Sequence, residues 1–187
     1  MMGHRPGAAG ECIYFYKIPI FPILVVIYYL TPEPTITKPA WVTLPMSVCI
    51  VVEGNIGAGK STVLSHIEKQ GFKVFYENVD SWRPYLELFY AQPERWSFAL
   101  QMAILHDMAQ QKKEADKLNP EDHPYVFFER SPLSNMLFAR MARMLGNMTD
   151  LELHTYELFY EELCWKPEFT VLIDTPVITC LERVQKR

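Results

Sequence analysis

The sequence lacks the patterns that hold together small secreted or zinc-bound domains. Its 187 residues include four cysteines, none of them in a CxxC pair, and no set of cysteines and histidines has the spacing of zinc ligands. Scattered cysteines of this kind argue against a disulfide framework and indicate free thiols in a reducing compartment. We therefore expect a cytoplasmic protein.

An excess of positive charge is also missing. The formal net charge is -4, so the chain as a whole has no electrostatic footprint for nucleic acid. A hydrophobic fraction of 49% and an aromatic fraction of 13% argue against disorder. The length fits one α/β domain better than two.

The chain has no uninterrupted apolar run of membrane-spanning length. Residues 18–32 carry no charge, but Pro19, Pro22 and Pro32 interrupt them. A spanning helix needs about 20 mostly apolar residues, and proline is unfavourable in a helix interior. Arg5 and Lys17 precede the apolar stretch as in a signal peptide, but no clear small-x-small cleavage site follows. We expect no membrane anchoring.

After Met46, predicted strands alternate with predicted helices. The strands are expected at residues 48–53, 73–76, 125–128 and 169–173, and the helices at residues 61–70, 93–117, 133–145, 149–164 and from 177 onward. Thr149 and Glu152 have the spacing of a helix capping box. Regular alternation predicts an α/β fold with a doubly wound parallel sheet flanked by helices.

A complete phosphate-binding loop lies between the first of these strands and the first helix. The motif GxxxxGK followed by Ser or Thr is fulfilled, in the context that confirms it. Backbone N–H groups and the helix N-terminus bind phosphate oxygens, while Lys60 neutralises the β- and γ-phosphates and Ser61 can bind Mg²⁺. The residues predicted to bind ATP here are Gly54, Asn55, Ile56, Gly57, Ala58, Gly59, Lys60, Ser61 and Thr62.

The loop alone does not define a reaction, because GTPases, ATPases and small-molecule kinases share it. No NKxD string is present, which argues against a GTPase. Residues 169–174 resemble a Walker B strand, so Asp174 could hold a magnesium-bound water. A simple strand-end acid before Pro176 is an equally good interpretation.

Further segments occur in one order that resembles a known family. GNIGAGKST, Glu77 after the second strand, PERWSFALQ, FFERS and TCLER together are similar to the deoxynucleoside kinases, over about residues 48–187. The segment between Trp82 and Tyr90 is short and lacks the insertion seen in deoxycytidine kinase. In this it resembles a lineage of the family encoded by large DNA viruses. The resemblance implies a P-loop kinase that moves the ATP γ-phosphate to the 5′-hydroxyl of a deoxynucleoside, in DNA precursor salvage. It also implies a homodimer through helices 133–145 and 149–164.

The resemblance assigns catalytic roles to three residues. Glu77 lies near the nucleoside 5′-hydroxyl and helps to activate it, since a carboxylate there can accept the proton. Glu129 holds Mg²⁺ or serves as the proton acceptor. Arg130 contacts the 5′-oxygen and the developing phosphoryl charge. Without the family, Glu77 would be a solvated strand-end charge and Arg130 part of an ion pair at the sheet edge.

The resemblance also places residues around the nucleoside. The amide of Gln101 would pair with a pyrimidine edge, and Tyr90 would contact the 3′-hydroxyl. Trp82, with Leu100 and Ile56, would form the pocket wall. Taken without the family, Gln101 would be an exposed helix glutamine, and the aromatic and aliphatic residues would be core.

Two positions bear on the choice of base. Met108 and Asn135 stand where deoxycytidine kinase has an arginine and an aspartate, so the charged pair suited to an amino-bearing base is absent. A polarizable methionine leaves room for the thymine methyl group. We expect thymidine to be preferred and deoxycytidine to come second. Ala139 stands where relatives place a stacking aromatic, for which Phe138 would substitute.

Arg183 and Arg187 match the first two arginines of the family's lid helix, so both are expected to bind ATP. The remaining lid is expected to be missing, leaving an N-terminal extension at 1–45 and a kinase domain at 46–187. Two alternatives stay open. One is a lid-deficient nucleotide-binding partner subunit without turnover, and the other is a different small-molecule P-loop kinase.

Overall fold

The computed structural model describes residues 3–6, 12–17, 24–29 and 46–186. These residues belong to two compact units. The first unit comprises the described residues up to Tyr76, together with Leu118–Glu129 and the chain from Pro167 onward. The second comprises Glu77–Lys117 and Arg130–Lys166. Every strand among the described residues lies in the first unit, whereas the second is built from helices.

Four parallel strands form the centre of the first unit. They are β4 (Val48–Glu53), β5 (Lys73–Phe75), β6 (Tyr125–Glu129) and β7 (Phe169–Asp174). Strand β4 pairs with β6 on one side and β7 on the other, and β5 pairs with β6. The apolar residues of β4 are buried or half-buried, because a central parallel strand is covered on both faces. The predicted α/β fold with a parallel sheet is confirmed.

Three antiparallel strands extend this sheet beyond β7. They are β1 (Gly3–Pro6), β2 (Cys12–Lys17) and β3 (Leu24–Tyr29), and β3 pairs with β7 from Leu24 opposite Asp174 to Tyr29 opposite Phe169. The sheet order is β1-β2-β3-β7-β4-β6-β5. Strand β3 falls in the uncharged segment 18–32, where no strand was predicted. The assignment of residues 1–45 to an extension outside the kinase fold stays a prediction.

Two helices complete the first unit, α1 (Lys60–Lys69) and α6 (Val177–Gln185). Leu64 of α1 is buried with Val52, Ile173 and Cys180 in one apolar cluster. Helix α1 ends where predicted, because Gly71 adopts φ 93° and donates its N–H to Glu68 O over 2.9 Å.

The second unit contains α2 (Val79–Ala91), α3 (Pro93–Ala115), α4 (Pro132–Met144) and α5 (Asp150–Leu163). Helix α5 has the predicted capping box, since Glu152 N–H donates to Thr149 Oγ1 and Thr149 N–H donates to Glu152 Oε2. Helices α3, α4 and α5 share a core of Leu105, Met136, Ala139, Ala142, Met148 and Tyr156. Helix α2 was not predicted.

Among the residues that the structure describes, none of the helices combines the length and apolar character needed to cross a lipid bilayer. The longest, α3, has 23 residues and includes charged groups at both ends.

Candidate active site

The phosphate loop joins β4 to α1 in a conformation that its glycines permit. Gly57 has φ 82°, and a Cβ atom there would lie 2.6 Å from the Cys180 carbonyl oxygen. A larger residue would therefore clash with backbone, which cannot move aside cheaply. Ala58 N–H donates to Asn55 O over 3.0 Å and closes the turn. The loop is thus shaped by contacts within the first unit.

Lys60 is held inside this loop. The residue is 6% exposed, and Nζ donates to Gly54 O over 3.2 Å and to Asn55 O over 3.1 Å. A buried ammonium group needs such acceptors because it has lost most of its water. The positive charge predicted to neutralise phosphate is therefore fixed at the loop.

Ser61 and Glu129 are hydrogen-bonded to each other beside the loop. Ser61 Oγ, in the first turn of α1, donates to Glu129 Oε1 over 2.8 Å at the end of β6. Glu129 is 8% exposed. Magnesium is usually bound by one or two carboxylates together with substrate phosphates, so a hydroxyl and a carboxylate fit that ion. In the described residues, no group of three or more His, Cys, Asp and Glu side chains could hold a metal.

Arg183 reaches the loop from α6. Its Nη1 donates to the carbonyls of Gly57 and Ala58, each over 3.1 Å. The structure thus brings this predicted ATP ligand to the phosphate loop, where it contacts the backbone. Asp174 is exposed at the end of β7. Arg187, the other predicted lid arginine, lies outside the described residues.

In the second unit, Arg130 and Glu77 form an ion pair. Arg130 Nε lies 3.1 Å from Glu77 Oε1, and the two side chains are 8% and 26% exposed. The Arg130 guanidinium carbon also lies 5.3 Å from the centre of the Phe138 ring. Each residue follows a strand, Glu77 two residues after β5 and Arg130 directly after β6. The two residues predicted to act on the 5′-hydroxyl are therefore brought together.

The backbone of Arg130 is strained. Its φ of 69° makes it the sole residue other than glycine with a positive φ in the described part of the chain. Such a conformation costs an L-residue about 1–2 kcal/mol. Strain of this kind concentrates at functional sites, where the surrounding structure holds a side chain in a required position. No feature of the sequence indicated it.

This strain predicts an unusual order of stability at residue 130. We expect Arg130→Gly to be more stable than Arg130→Ala by about 1 kcal/mol, since both lose the guanidinium but glycine accepts a positive φ. At Arg140, an exposed residue inside α4, the order should reverse by about 1 kcal/mol. Urea unfolding of the four variants measures both differences. If the glycine variant were more stable than the alanine variant at both positions, or less stable at both, the backbone of Arg130 would not be strained.

Gln101 is 7% exposed, so its interpretation as an exposed helix glutamine is wrong. Asn135 Nδ2 donates to Gln101 Oε1 over 2.6 Å, and the Tyr156 hydroxyl donates to Asn135 Oδ1. The first two residues were predicted to contact the nucleoside. Tyr156 was not, because its contact depends on how α5 packs against α4 and no motif carries it.

The remaining predicted pocket residues fall into two groups. Trp82, Leu100 and Met108 are buried, at 8%, 3% and 6% exposure, and the Met108 carbonyl accepts from Trp165 Nε1 over 3.2 Å. Tyr90 and Ile56 are 74% and 56% exposed. The assignment of Tyr90 to the sugar therefore stays a prediction.

Ala139 is fully buried in the core shared by α3, α4 and α5. Its neighbour Phe138 is half-buried and lies against Arg130. Phe138 therefore places an aromatic ring beside Arg130, a predicted site residue. This placement is consistent with Phe138 replacing the aromatic side chain that is missing at residue 139.

Comparisons with known proteins agree with this geometry. The family model described as deoxynucleoside kinase matches residues 50–187. A frog virus 3 (isolate Goorha) protein named for deoxynucleoside kinase activity is 29% identical over 138 residues, which cover 74% of this chain and 69% of that protein. Deoxyadenosine/deoxycytidine kinase of Bacillus subtilis is 31% identical over 150 residues, covering 77% of this chain and 67% of its own length.

A solved structure is also similar. It is deoxyadenosine kinase from M. mycoides, with the products dCMP and a flexible dCDP bound, at a TM-score of 0.65 and 28% identity. The match covers 75% of this chain and 71% of that one. The family match, the phosphate loop and the parallel sheet lead to one conclusion. The chain belongs to the deoxynucleoside kinase family and is an ATP-dependent enzyme of that class.

Proposed function

We propose that this protein transfers the γ-phosphate of ATP to the 5′-hydroxyl of a deoxynucleoside, as a salvage enzyme for DNA precursors. The observation that carries the proposal is the ion pair of Arg130 and Glu77, in which Arg130 is both buried and held at a positive φ. A pair that only stabilised the sheet edge would not need a strained backbone. In phosphoryl transfer to an alcohol, a carboxylate can accept the hydroxyl proton and a guanidinium can stabilise charge on the phosphoryl group.

Each step of the transfer has a residue to assist it. The 5′-oxygen forms a bond to the γ-phosphorus, the bond from that phosphorus to the β,γ-bridging oxygen breaks, and ADP leaves. Glu77 accepts the hydroxyl proton as the bond forms. Arg130 stabilises charge on the transferred phosphoryl group, and Lys60 neutralises the β- and γ-phosphates.

Ser61 and Glu129 are the residues we propose to hold Mg²⁺. Their oxygens already lie 2.8 Å apart, in a hydrogen bond that a cation would replace. When bound, the ion supplies positive charge that offsets the charge of the phosphates. In this assignment Glu129 is a metal ligand, and the proton goes to Glu77.

For the base, we propose a pyrimidine, with thymidine ahead of deoxycytidine. The support is the uncharged pair Met108 and Asn135, both buried in the second unit. Selection by these two side chains is therefore a property to measure for this chain.

A coupled ADP-release assay on the full chain tests the proposal. The acceptors are thymidine, deoxycytidine, deoxyguanosine, deoxyadenosine and thymidine monophosphate, each with ATP and Mg²⁺. Turnover of nucleosides but not of the monophosphate supports it. Turnover of the monophosphate alone would point to another small-molecule kinase, and ATP binding without turnover to a partner subunit. Repeating the assay without residues 1–45 tests our inference that residues 46–187 carry the activity.

We further propose a homodimer through α4 and α5, which lie against each other. Both helices expose apolar side chains at helical spacing, namely Leu133, Leu137, Met141, Met144, Leu151, Leu158 and Phe159. Seven exposed apolar side chains on two adjacent helices form the kind of surface that marks a protein interface. A second copy of the same surface is self-complementary in a two-fold dimer.

The variant Leu137→Asp is expected to shift the protein to monomer, because it places a charge within the proposed apolar interface. Leu137 is 60% exposed, so the fold of one copy should not change. Sedimentation velocity measures the oligomeric state, with Leu88→Asp on α2 as the matched control at 41% exposure. A wild-type monomer, or dimers of both variants, would contradict the proposal.

A further inference from the structure

Three buried polar side chains of the second unit form one continuous hydrogen-bonded chain. The Tyr156 hydroxyl donates to Asn135 Oδ1, and Asn135 Nδ2 donates to Gln101 Oε1 over 2.6 Å. Their exposures are 0%, 2% and 7%. The chain runs from α5 through α4 to α3. Buried polar groups connected in this way hold one another in a fixed conformation.

Tyr156 determines which end of each amide in this hydrogen-bonded chain donates and which accepts. Its ring lies in the apolar core, and burial raises the pKa of its hydroxyl, with smaller contributions from Tyr160 and Cys164. The hydroxyl therefore keeps its proton at physiological pH. Within the described ranges, Asn135 Oδ1 is the acceptor that this proton has. Turning the Asn135 amide over would place N–H against O–H and leave a buried proton unsatisfied, which is costly.

The fixed direction determines what Gln101 offers. The oxygens of both amides already accept, one from Tyr156 and the other from Asn135. The hydrogens on Gln101 Nε2 are therefore the stronger remaining group, because an amide nitrogen carries two donors. A carbonyl on the edge of a base can accept from them. An exocyclic amine would instead have to share the Gln101 oxygen, one of whose two lone pairs already accepts from Asn135.

We propose that Tyr156 is a positioning residue for base choice: through Asn135 it holds Gln101 with its N–H groups available to a base carbonyl. This inference rests on the proposed function, in which Gln101 contacts the base. Between the two proposed pyrimidines it favours thymidine, whose base has a carbonyl at that edge, over deoxycytidine, whose base has an amine there.

The full chain carrying Tyr156→Phe tests this inference. Without the hydroxyl, Asn135 and Gln101 can turn over together, so Gln101 accepts an amine as readily as it donates to a carbonyl. The ratio of kcat/KM for thymidine to kcat/KM for deoxycytidine should fall about tenfold, the equivalent of one neutral hydrogen bond. Tyr160→Phe is the matched control, because the same hydroxyl is removed one turn later on α5 from a partly buried tyrosine. It should leave the ratio within about twofold.

A second variant keeps the test independent of folding effects at Tyr156. Asn135→Asp presents an acceptor to Gln101 in place of an N–H, so Gln101 must turn its own N–H inward and expose its oxygen. The ratio should then move further toward deoxycytidine than in Tyr156→Phe. A loss of general packing would instead lower both kcat/KM values together and leave their ratio unchanged.

The outcomes separate the two proposals. Nucleoside turnover with an unchanged thymidine to deoxycytidine ratio in both variants overturns the role of Tyr156 and leaves the proposed function standing. A ratio change in Tyr160→Phe as large as that in Tyr156→Phe also overturns it. A wild-type chain that phosphorylates no nucleoside overturns both proposals.

Discussion

Replacing Glu77 by glutamine is expected to lower kcat by about 10²- to 10⁴-fold, the range that a positioned general base contributes. Glutamine has the same shape and can still accept a hydrogen bond from Arg130 Nε, which lies 3.1 Å from Glu77 Oε1. It cannot accept a proton at physiological pH. Because the proposed ATP contacts come from the phosphate loop and not from Glu77, ATP affinity should stay within about twofold of the wild type.

Steady-state kinetics with saturating nucleoside and a separate ATP titration measure the two effects. Glu87→Gln is the control, since it makes the same chemical change at an exposed residue of α2. A Glu77→Gln enzyme with kcat within threefold of the wild type would show that the proton goes elsewhere. Glu129, the other carboxylate that the family resemblance allowed for this role, would then be the residue to test.

The phosphate loop and the parallel sheet were predictable because their determinants are local. A glycine-rich turn between an apolar run and a helix has few other conformations, and α5 begins with the capping box that its sequence predicts. Lys60 and Ser61 were assigned from spacing alone, and both take part in hydrogen bonds at the loop. Short-range patterns thus predict this part of the site.

Helix α2 was missed for a physical reason. Pro84 lies inside it, where proline removes a backbone donor and disfavours the helical conformation of the residue before it. Packing outweighs that local preference, because Trp82 on the same helix is buried at 8% exposure. Tertiary burial can decide the structure of a segment whose own propensity is weak.

The features of the second unit that bear most on chemistry could not be predicted from the sequence. The positive φ of Arg130 is imposed by the chain around it, since arginine has no preference for that conformation. The contact from Tyr156 to Asn135 joins residues on different helices. The family resemblance identified Arg130 as a site residue. The strain at Arg130 and the buried hydrogen-bonded chain became visible only in the structure.

Lys60→Ala is expected to lower kcat/KM for ATP by about 10³-fold, near the upper value for removing one group that stabilises charge in a transition state. Lys60 is 6% exposed, and its ammonium group donates to the carbonyls of Gly54 and Asn55. Its removal deletes the positive charge and also two contacts that shape the loop. ATP binding and catalysis should therefore weaken together.

Lys69→Ala provides the matched control, because it removes an exposed lysine from the last turn of the same helix. It should change kcat/KM by less than about twofold. Lys60→Arg should also lose most activity, since a planar guanidinium does not replace a compact ammonium group in a buried site. Calorimetric titration with ATP separates binding from rate. If Lys60→Ala bound ATP within threefold of the wild type, the loop's backbone alone would suffice for binding, and the role of Lys60 would be confined to the chemical step.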